Sequence, residues 1–264
     1  MATHDLPIPQ PPTHFLLGNL PDVDSSHMLA TYQHLTKQYG PIFALDMVRN
    51  RIVYCGSQAL VNELCDESRF EKFVAGALYQ VRNMTGTGLF TAQSAERDWQ
   101  LAHKLLIPAF GPLAIRGMFG QMVDIAGQML MKWQRFGPQH EIDVSDAFTR
   151  LTLDTIALCS FDYRFNSFYQ DDMHPFVTKA LDALLESGRR AGRTELETRV
   201  RKWSQEKYDQ DIQFCWKLCD EIVRERKANP RPEGEGKDLL DVMLKVRDPE
   251  TGEGMRDELI RYEM

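Results

Sequence analysis

The chain has 264 residues, of which 43% are hydrophobic, 10% aromatic and 26% charged, a balance that belongs to folded globular proteins and excludes disordered and fibrous classes. With 31 Lys+Arg against 38 Asp+Glu the formal charge is -7, so no basic face dominates and nucleic acid is excluded as a partner. Cys55, Cys65, Cys159, Cys215 and Cys219 are odd in number and scattered, which predicts reduced thiols and a cytoplasmic location rather than a disulfide framework.

Residues 1–26 read as a proline-rich leader. Pro7-Ile8-Pro9-Gln10-Pro11-Pro12 locks extended backbone, and the apolar patch Phe15 to Leu17 is too short for a signal peptide or a membrane anchor. A helix is expected over 27–39, ended by Gly40-Pro41, followed by strands at 42–45 and 52–55 around a turn at Arg49-Asn50, which gives segment 27–56. From 57 to 264 the apolar spacing is helical, with turn signals at Gly86-Thr87-Gly88, Phe136-Gly137-Pro138, Ala228-Asn229-Pro230 and Asp248-Pro249-Glu250-Thr251-Gly252. A helix over 118–132 carries one apolar stripe of Met122, Ile125, Ala126, Met129, Leu130 and Trp133. The next, over 145–161, is apolar nearly all round (Phe148, Leu151, Leu153, Ile156, Leu158, Cys159), which predicts burial among other helices. A third, over 199–227, places Ile212, Cys215, Trp216, Cys219, Ile222 and Val223 on one face. The basic stretch Arg189, Arg190, Arg193, Arg199, Arg201, Lys202 and Lys207 reads as a solvated face. No linker divides the chain, so one domain, or most of one, is expected.

Most catalytic templates are absent: there is no G-x-G-x-x-G, Walker loop, H-E-x-x-H or G-x-S-x-G. Cys215-x3-Cys219 lacks further ligands at zinc spacing and reads as packing. The informative segment runs from Asp98 to Phe110. On a helix, Trp99, Ala102, His103, Leu106 and Phe110 share a face, so an indole N–H and an imidazole N–H stand one turn apart on an apolar stripe. Such a pair suits an anionic group on a flat hydrophobic ligand; core packing with local partners is the alternative.

Several blocks carry a resemblance. They are Cys65-Asp66-Glu67-Ser68-Arg69-Phe70, Gly88-Leu89-Phe90-Thr91, Trp99-x3-His103, Pro108-Ala109-Phe110-Gly111-Pro112-Leu113, Thr149-Arg150-Leu151-Thr152-Leu153-Asp154-Thr155-Ile156-Ala157-Leu158-Cys159, Tyr163-Arg164-Phe165-Asn166-Ser167-Phe168, His174-Pro175-Phe176 and Asp248-Pro249-Glu250-Thr251-Gly252-Glu253. In these, and in their order, the chain resembles the N-terminal half of a cytochrome P-450, in particular the haem domain of the self-sufficient fatty-acid hydroxylases of bacteria and fungi. Divergence is concentrated between 186 and 237.

The resemblance implies a mainly α cytochrome P-450 fold with a small N-terminal β-sheet, cut at the start of the long central helix, and 1–264 as part of one haem domain. It implies a monooxygenase that hydroxylates long-chain fatty acids, with haem b as cofactor and electrons from NADPH through the FAD and FMN of a fused diflavin reductase. Trp99 and His103 match positions that bind a haem propionate, and Phe110 a position near the haem. Phe90 matches the phenylalanine beside the reacting carbon, Tyr54 the tyrosine that bonds the substrate carboxylate, and Leu78, Val81 and Leu184 the channel lining. Two departures stand out. Asn50, flanked by Arg49 and Arg51, occupies the place of the channel-mouth arginine. The sequence also stops at Glu263-Met264, before the A-G-x-[ED]-T-T segment, the E-x-x-R helix and the cysteine loop, so no catalytic residue or iron ligand is expected in it. Glu221-x2-Arg224 and Glu258-x2-Arg261 spell E-x-x-R outside that context and read as chance. A non-catalytic truncated product that binds lipophiles, and a monooxygenase of another lipophilic substrate, stay open as alternatives.

Overall fold

The computed structural model describes residues 7–24, 27–47, 50–191, 193, 197, 202–232 and 238–264, the side chain of Lys202 excepted. The chain forms two compact units, Met1–Glu71 and Lys72–Met264.

In the first unit, helix α1 (Met28–Tyr39) ends at Gly40, whose φ of +95° is open to glycine at little cost. Strands β1 (Ile42–Met47) and β2 (Asn50–Cys55) pair antiparallel, with Ile42 opposite Cys55 and Met47 opposite Asn50. Both strands are longer than expected, and Asn50 is the first residue of β2 rather than part of the turn, because the ladder continues to Met47. Arg49 lies outside the described residues. The leader runs beside β1: Pro9 C=O accepts from Ala44 N–H at 2.9 Å, and the fully buried Asn19 bonds Asp46 through its backbone N–H and its side-chain oxygen. Leu35, Phe43 and Leu45 form the core, with Tyr32 and Tyr54 against it. Helix α2 (Gln58–Leu64) is capped by Ser57.

The second unit is helical: α3 (Ala77–Thr85), α4 (Arg97–Leu106), α5 (Pro112–Gly117), α6 (Phe119–Phe136), α7 (Val144–Phe161), α8 (Pro175–Ala191), α9 (Lys202–Ala228), α10 (Leu239–Lys245) and α11 (Asp257–Glu263). Its largest core joins Leu101, Ala102, Leu105 and Leu106 of α4 to Val223 of α9, Leu239, Leu240 and Met243 of α10, and Leu259 and Ile260 of α11. A second core holds Ile125 and Met129 of α6 against Leu158 of α7 and Phe168. A third joins Ala183 of α8 to Tyr208 and Ile212 of α9, where the Trp216 indole also donates to Met84 C=O of α3 at 2.6 Å. Among the described residues no helix is long and apolar enough to cross a membrane.

Three packing expectations change. On α6, Leu130 is exposed and Gln128 is buried in its place. On α7, Phe148 and Ile156 stay 46% and 60% exposed, and the buried face carries Arg150 and Asp154, because these polar groups hold the following loop. Arg150 donates to the carbonyls of Ser167 and Asp171, each at 2.7 Å, and Asp154 accepts from the backbone N–H and hydroxyl of Ser167. In the basic stretch, Arg190 and Arg193 turn inward onto the buried Glu186, and Arg190 lies 3.7 Å over the Tyr208 ring. Arg199 and Arg201 lie outside the described residues, as does the start expected for α9. The α9 face is as expected, with Ile212, Cys215, Cys219 and Val223 buried.

Arg226 of α9, 9% exposed, reaches both oxygens of Asp238 at 2.9 and 2.8 Å and donates to Phe161 C=O. Removing one member of a buried pair strands the other, so Arg226→Ala is expected to cost about 3–5 kcal/mol in denaturant unfolding. Arg164→Ala, which breaks the half-exposed pair with Asp124, is expected to cost no more than about 1 kcal/mol.

Candidate functional site

Helix α4 is set by its apolar spacing and by its ends. Asp98 in its first turn and Lys104 in its last complement the helix dipole. Both are also tied to segment 248–256: Asp98 accepts from Arg256 at 2.6 and 2.7 Å, and Lys104 pairs with Asp248 and Glu250. Arg256 holds the Asp98 carboxyl below its usual range against the opposing effect of burial, and the Thr87 hydroxyl adds to it.

With Ala102 and Leu106 turned into the core, Trp99 and His103 fall at the border of the buried face. Their rings stack at 4.3 Å between centroids and 16° between planes. Neither ring N–H has an acceptor among the described residues. The α-helix stops at Leu106, and Ile107–Phe110 form a 3-10 turn. Phe110 is therefore no continuation of the α stripe, and it stays 58% exposed while Ala109 packs on the core.

Phe90 stands on loop 86–96, between α3 and α4. The loop is held by long-range bonds that no local pattern announces. Lys72 donates to Leu89 C=O at 2.5 Å and Ala92 C=O at 2.8 Å, and Glu263 of α11 accepts from Leu89 N–H at 3.0 Å. The buried Thr91 hydroxyl bonds Thr85 and Gly86 C=O, and Arg82 grips Glu96 with two hydrogen bonds. Phe90 itself is 63% exposed. Leu89, Ala102, Leu106 and Ala109 all pack on one core.

The lining candidates Val81 and Leu78 lie on α3, one buried and one half-buried, and Leu184 lies exposed on α8, which packs against α3. Tyr54 lies in the other unit. Its hydroxyl bonds the Tyr32 hydroxyl at 3.0 Å, and the two tyrosines with Leu29, Gln33, Lys37 and Phe43 line an open groove of about 640 Å3. Burial, with the Tyr32 bond, pushes the Tyr54 phenol well above its usual range. Arg51 is drawn away to Gln10 at 3.1 Å. Neither E-x-x-R pair closes on itself, since Arg261 bonds Asp220 and Glu221 faces Lys217.

A family comparison matches residues 8–264 to cytochrome P450. The chain belongs to the cytochrome P450 family. It is 45% identical to a self-sufficient cytochrome P450 monooxygenase of Phanerodontia chrysosporium over 96% of this chain and 24% of that protein. It is 48% identical to a bifunctional cytochrome P450/NADPH–P450 reductase of Acremonium egyptiacum over 95% of this chain, and 43% identical to one of Bacillus subtilis over 97%, in each case 24% of the relative. The chain thus spans about a quarter of the length of these relatives.

Haem is the cofactor of this family, and the chain's donors suit its anionic edge. Its three buried cysteines do not suit the iron. Burial pushes the Cys215 thiol up to about 11 and Cys219 up to about 12, and it raises Cys159 as well, the reverse of what a thiolate ligand needs. Among the described residues no cluster of three or more His, Cys, Asp or Glu is placed to hold a metal ion.

The turn Gly86-Thr87-Gly88 brings loop 86–96 against α11 so closely that a Cβ on Gly88 would stand 2.5 Å from Tyr262 C=O. Gly88→Ala is therefore expected to lower stability by about 1–3 kcal/mol in thermal unfolding. Gly127→Ala, mid-helix in α6 with nothing within 4 Å, is expected to raise it by about 0.5–1 kcal/mol.

Proposed function

We propose that this chain is the N-terminal part of a single haem domain in a cytoplasmic, reductase-fused P450 monooxygenase that hydroxylates long-chain fatty acids. The observation that carries the reading is the pair of unpartnered donors on α4, within a chain 42–48% identical to self-sufficient P450s over 95% or more of its length. Bound haem would supply the oxygen chemistry, with electrons arriving from NADPH through FAD and FMN of the fused reductase. The chain's own residues have other tasks. Trp99 and His103 donate to a propionate, and Phe110 covers the nearby edge. Phe90 stands beside the reacting carbon, and Leu78, Val81 and Leu184 line the path of the acyl chain. A cytoplasmic location is supported by five free cysteines.

At the head-group end, Tyr54 spends a hydrogen bond on Tyr32, and a phenol pair joined this way keeps one O–H to offer a ligand. Lys37 of α1 lines the same groove and brings a positive charge to it. A second reading follows from the diversion of Arg51 to Gln10: with that guanidinium engaged, a neutral lipophile such as a terpenoid becomes a competing substrate. The two readings are separated by offering the whole enzyme a long-chain acid and the matching alcohol. The fatty-acid reading expects oxidation of the acid at lower KM; conversion of the alcohol or a terpenoid with the acid untouched overturns it.

The haem contacts have their own expected outcome. A hydrogen bond to a charged group contributes about 1.5–3 kcal/mol, so Trp99→Ala and His103→Ala are each expected to speed haem loss about tenfold or more. If both are only packing residues, melting temperature falls and haem loss is unchanged. Phe90→Ala is expected to leave haem binding intact and to shift the position of hydroxylation along the chain, read from product ratios.

A further inference from the structure

Phe90 makes no polar contact, so the position of its ring is set by the backbone on either side. At Leu89 both backbone groups are held by ionisable side chains, the C=O by the Lys72 amine and the N–H by the Glu263 carboxyl. The two come from distant places: Lys72 precedes α3, whereas Glu263 lies on α11, 174 positions after Leu89. We propose that Glu263 is a positioning residue that, together with Lys72, clamps Leu89 and so fixes where the Phe90 ring stands. The consequence for substrate orientation rests on the reading of Phe90 given above; the clamp itself does not.

Glu263 is also placed to make the clamp sensitive to pH. Burial pushes its carboxyl up to about 7, while the Leu89 N–H and the Lys72 charge pull the other way and Asp98 adds to the rise. The charged groups that face it are Lys72 and Asp98, and the charge of Asp98 is itself paired with Arg256. The clamped state therefore binds the proton more tightly than an opened one, in which water restores a pKa near the ordinary 4.5. By linkage the clamp is firmest below about 4.5 and weakens as pH rises through about 7.

The test is hydrogen exchange at the Leu89 amide in the haem-loaded, full-length protein from pH 5 to pH 8, corrected for intrinsic rate, with product positions measured alongside. In the wild type, protection at Leu89 is expected to fall roughly tenfold or more across that range, since each pKa unit of linkage is worth tenfold. Glu263→Gln keeps an acceptor without a titrating group, so its protection should stay high and flat with pH. Glu263→Ala should lose protection at every pH and move hydroxylation in the direction that Phe90→Ala moves it, with exchange at Met129 in α6 unchanged. Wild-type Leu89 exchange in Glu263→Ala, or wild-type pH dependence in Glu263→Gln, overturns the proposal. If Leu89 exchange follows Glu263 while Phe90→Ala leaves the products unaltered, the clamp is upheld and the substrate role of Phe90 fails.

Discussion

Arg256 and Asp98 are 158 positions apart, and their paired hydrogen bonds hold the start of α11 against the start of α4. Arg256 is half exposed, so the pair contributes about 1 kcal/mol rather than the several of a buried one. Its effect is geometric. Leu101, Ala102, Leu105 and Leu106 can pack on Leu259 and Ile260 in many rotational settings of α4, since burial of apolar area is not directional. The bidentate contact, with Lys104 gripping Asp248 at the far end, selects one. In that setting Trp99 and His103 lie at the edge of the core, their rings stacked and their N–H groups without an acceptor among the described residues.

The same division between apolar cohesion and polar selection recurs where an arginine is buried. Arg150, Arg190 and Arg226 sit in the interior, each satisfied by carbonyls or by a carboxylate. Burying a guanidinium is costly unless its fork is filled, so each restricts the segment that fills it. Arg150 fixes loop 167–172, Arg226 fixes the approach to α10, and Arg190 with Glu186 joins the end of α8 to α9.

Much of this architecture was legible in the sequence. The 3.6-residue spacing marks α1, α7 and the end of α9 close to their observed limits and α6 four residues short at its C-terminus, and Gly40-Pro41 marks the end of α1, because these signals depend only on near neighbours. The stacked Trp99–His103 pair was legible for the same reason, being an i, i+4 relation on one helix. On α7, periodicity counts apolar residues and carries no sign that Arg150 and Asp154 turn inside to hold a loop. Phe110 was placed on a helical stripe because the change from α to 3-10 winding at Ile107-Pro108 leaves the apolar pattern intact. The bonds from Lys72 and Glu263 to Leu89 had no sequence signal at all, since nothing local marks a charged residue as the partner of a distant peptide group.

Haem performs the oxygen chemistry of this family, so what distinguishes one chain from another is placement. Placement by a side chain such as Phe90 is only as firm as the peptide groups beside it. An exposed ring has few van der Waals partners within the chain, so the backbone at its Cα sets the point from which it extends. Here that Cα lies between Leu89, held at both N–H and C=O, and Thr91, whose buried hydroxyl bonds the Thr85 hydroxyl and Gly86 C=O. Gly88 completes the arrangement by admitting the Tyr262 carbonyl at a distance no other residue tolerates. The position of the ring's Cα therefore rests on Gly88, Leu89 and Thr91 and on the Lys72, Glu263 and Tyr262 groups that meet them.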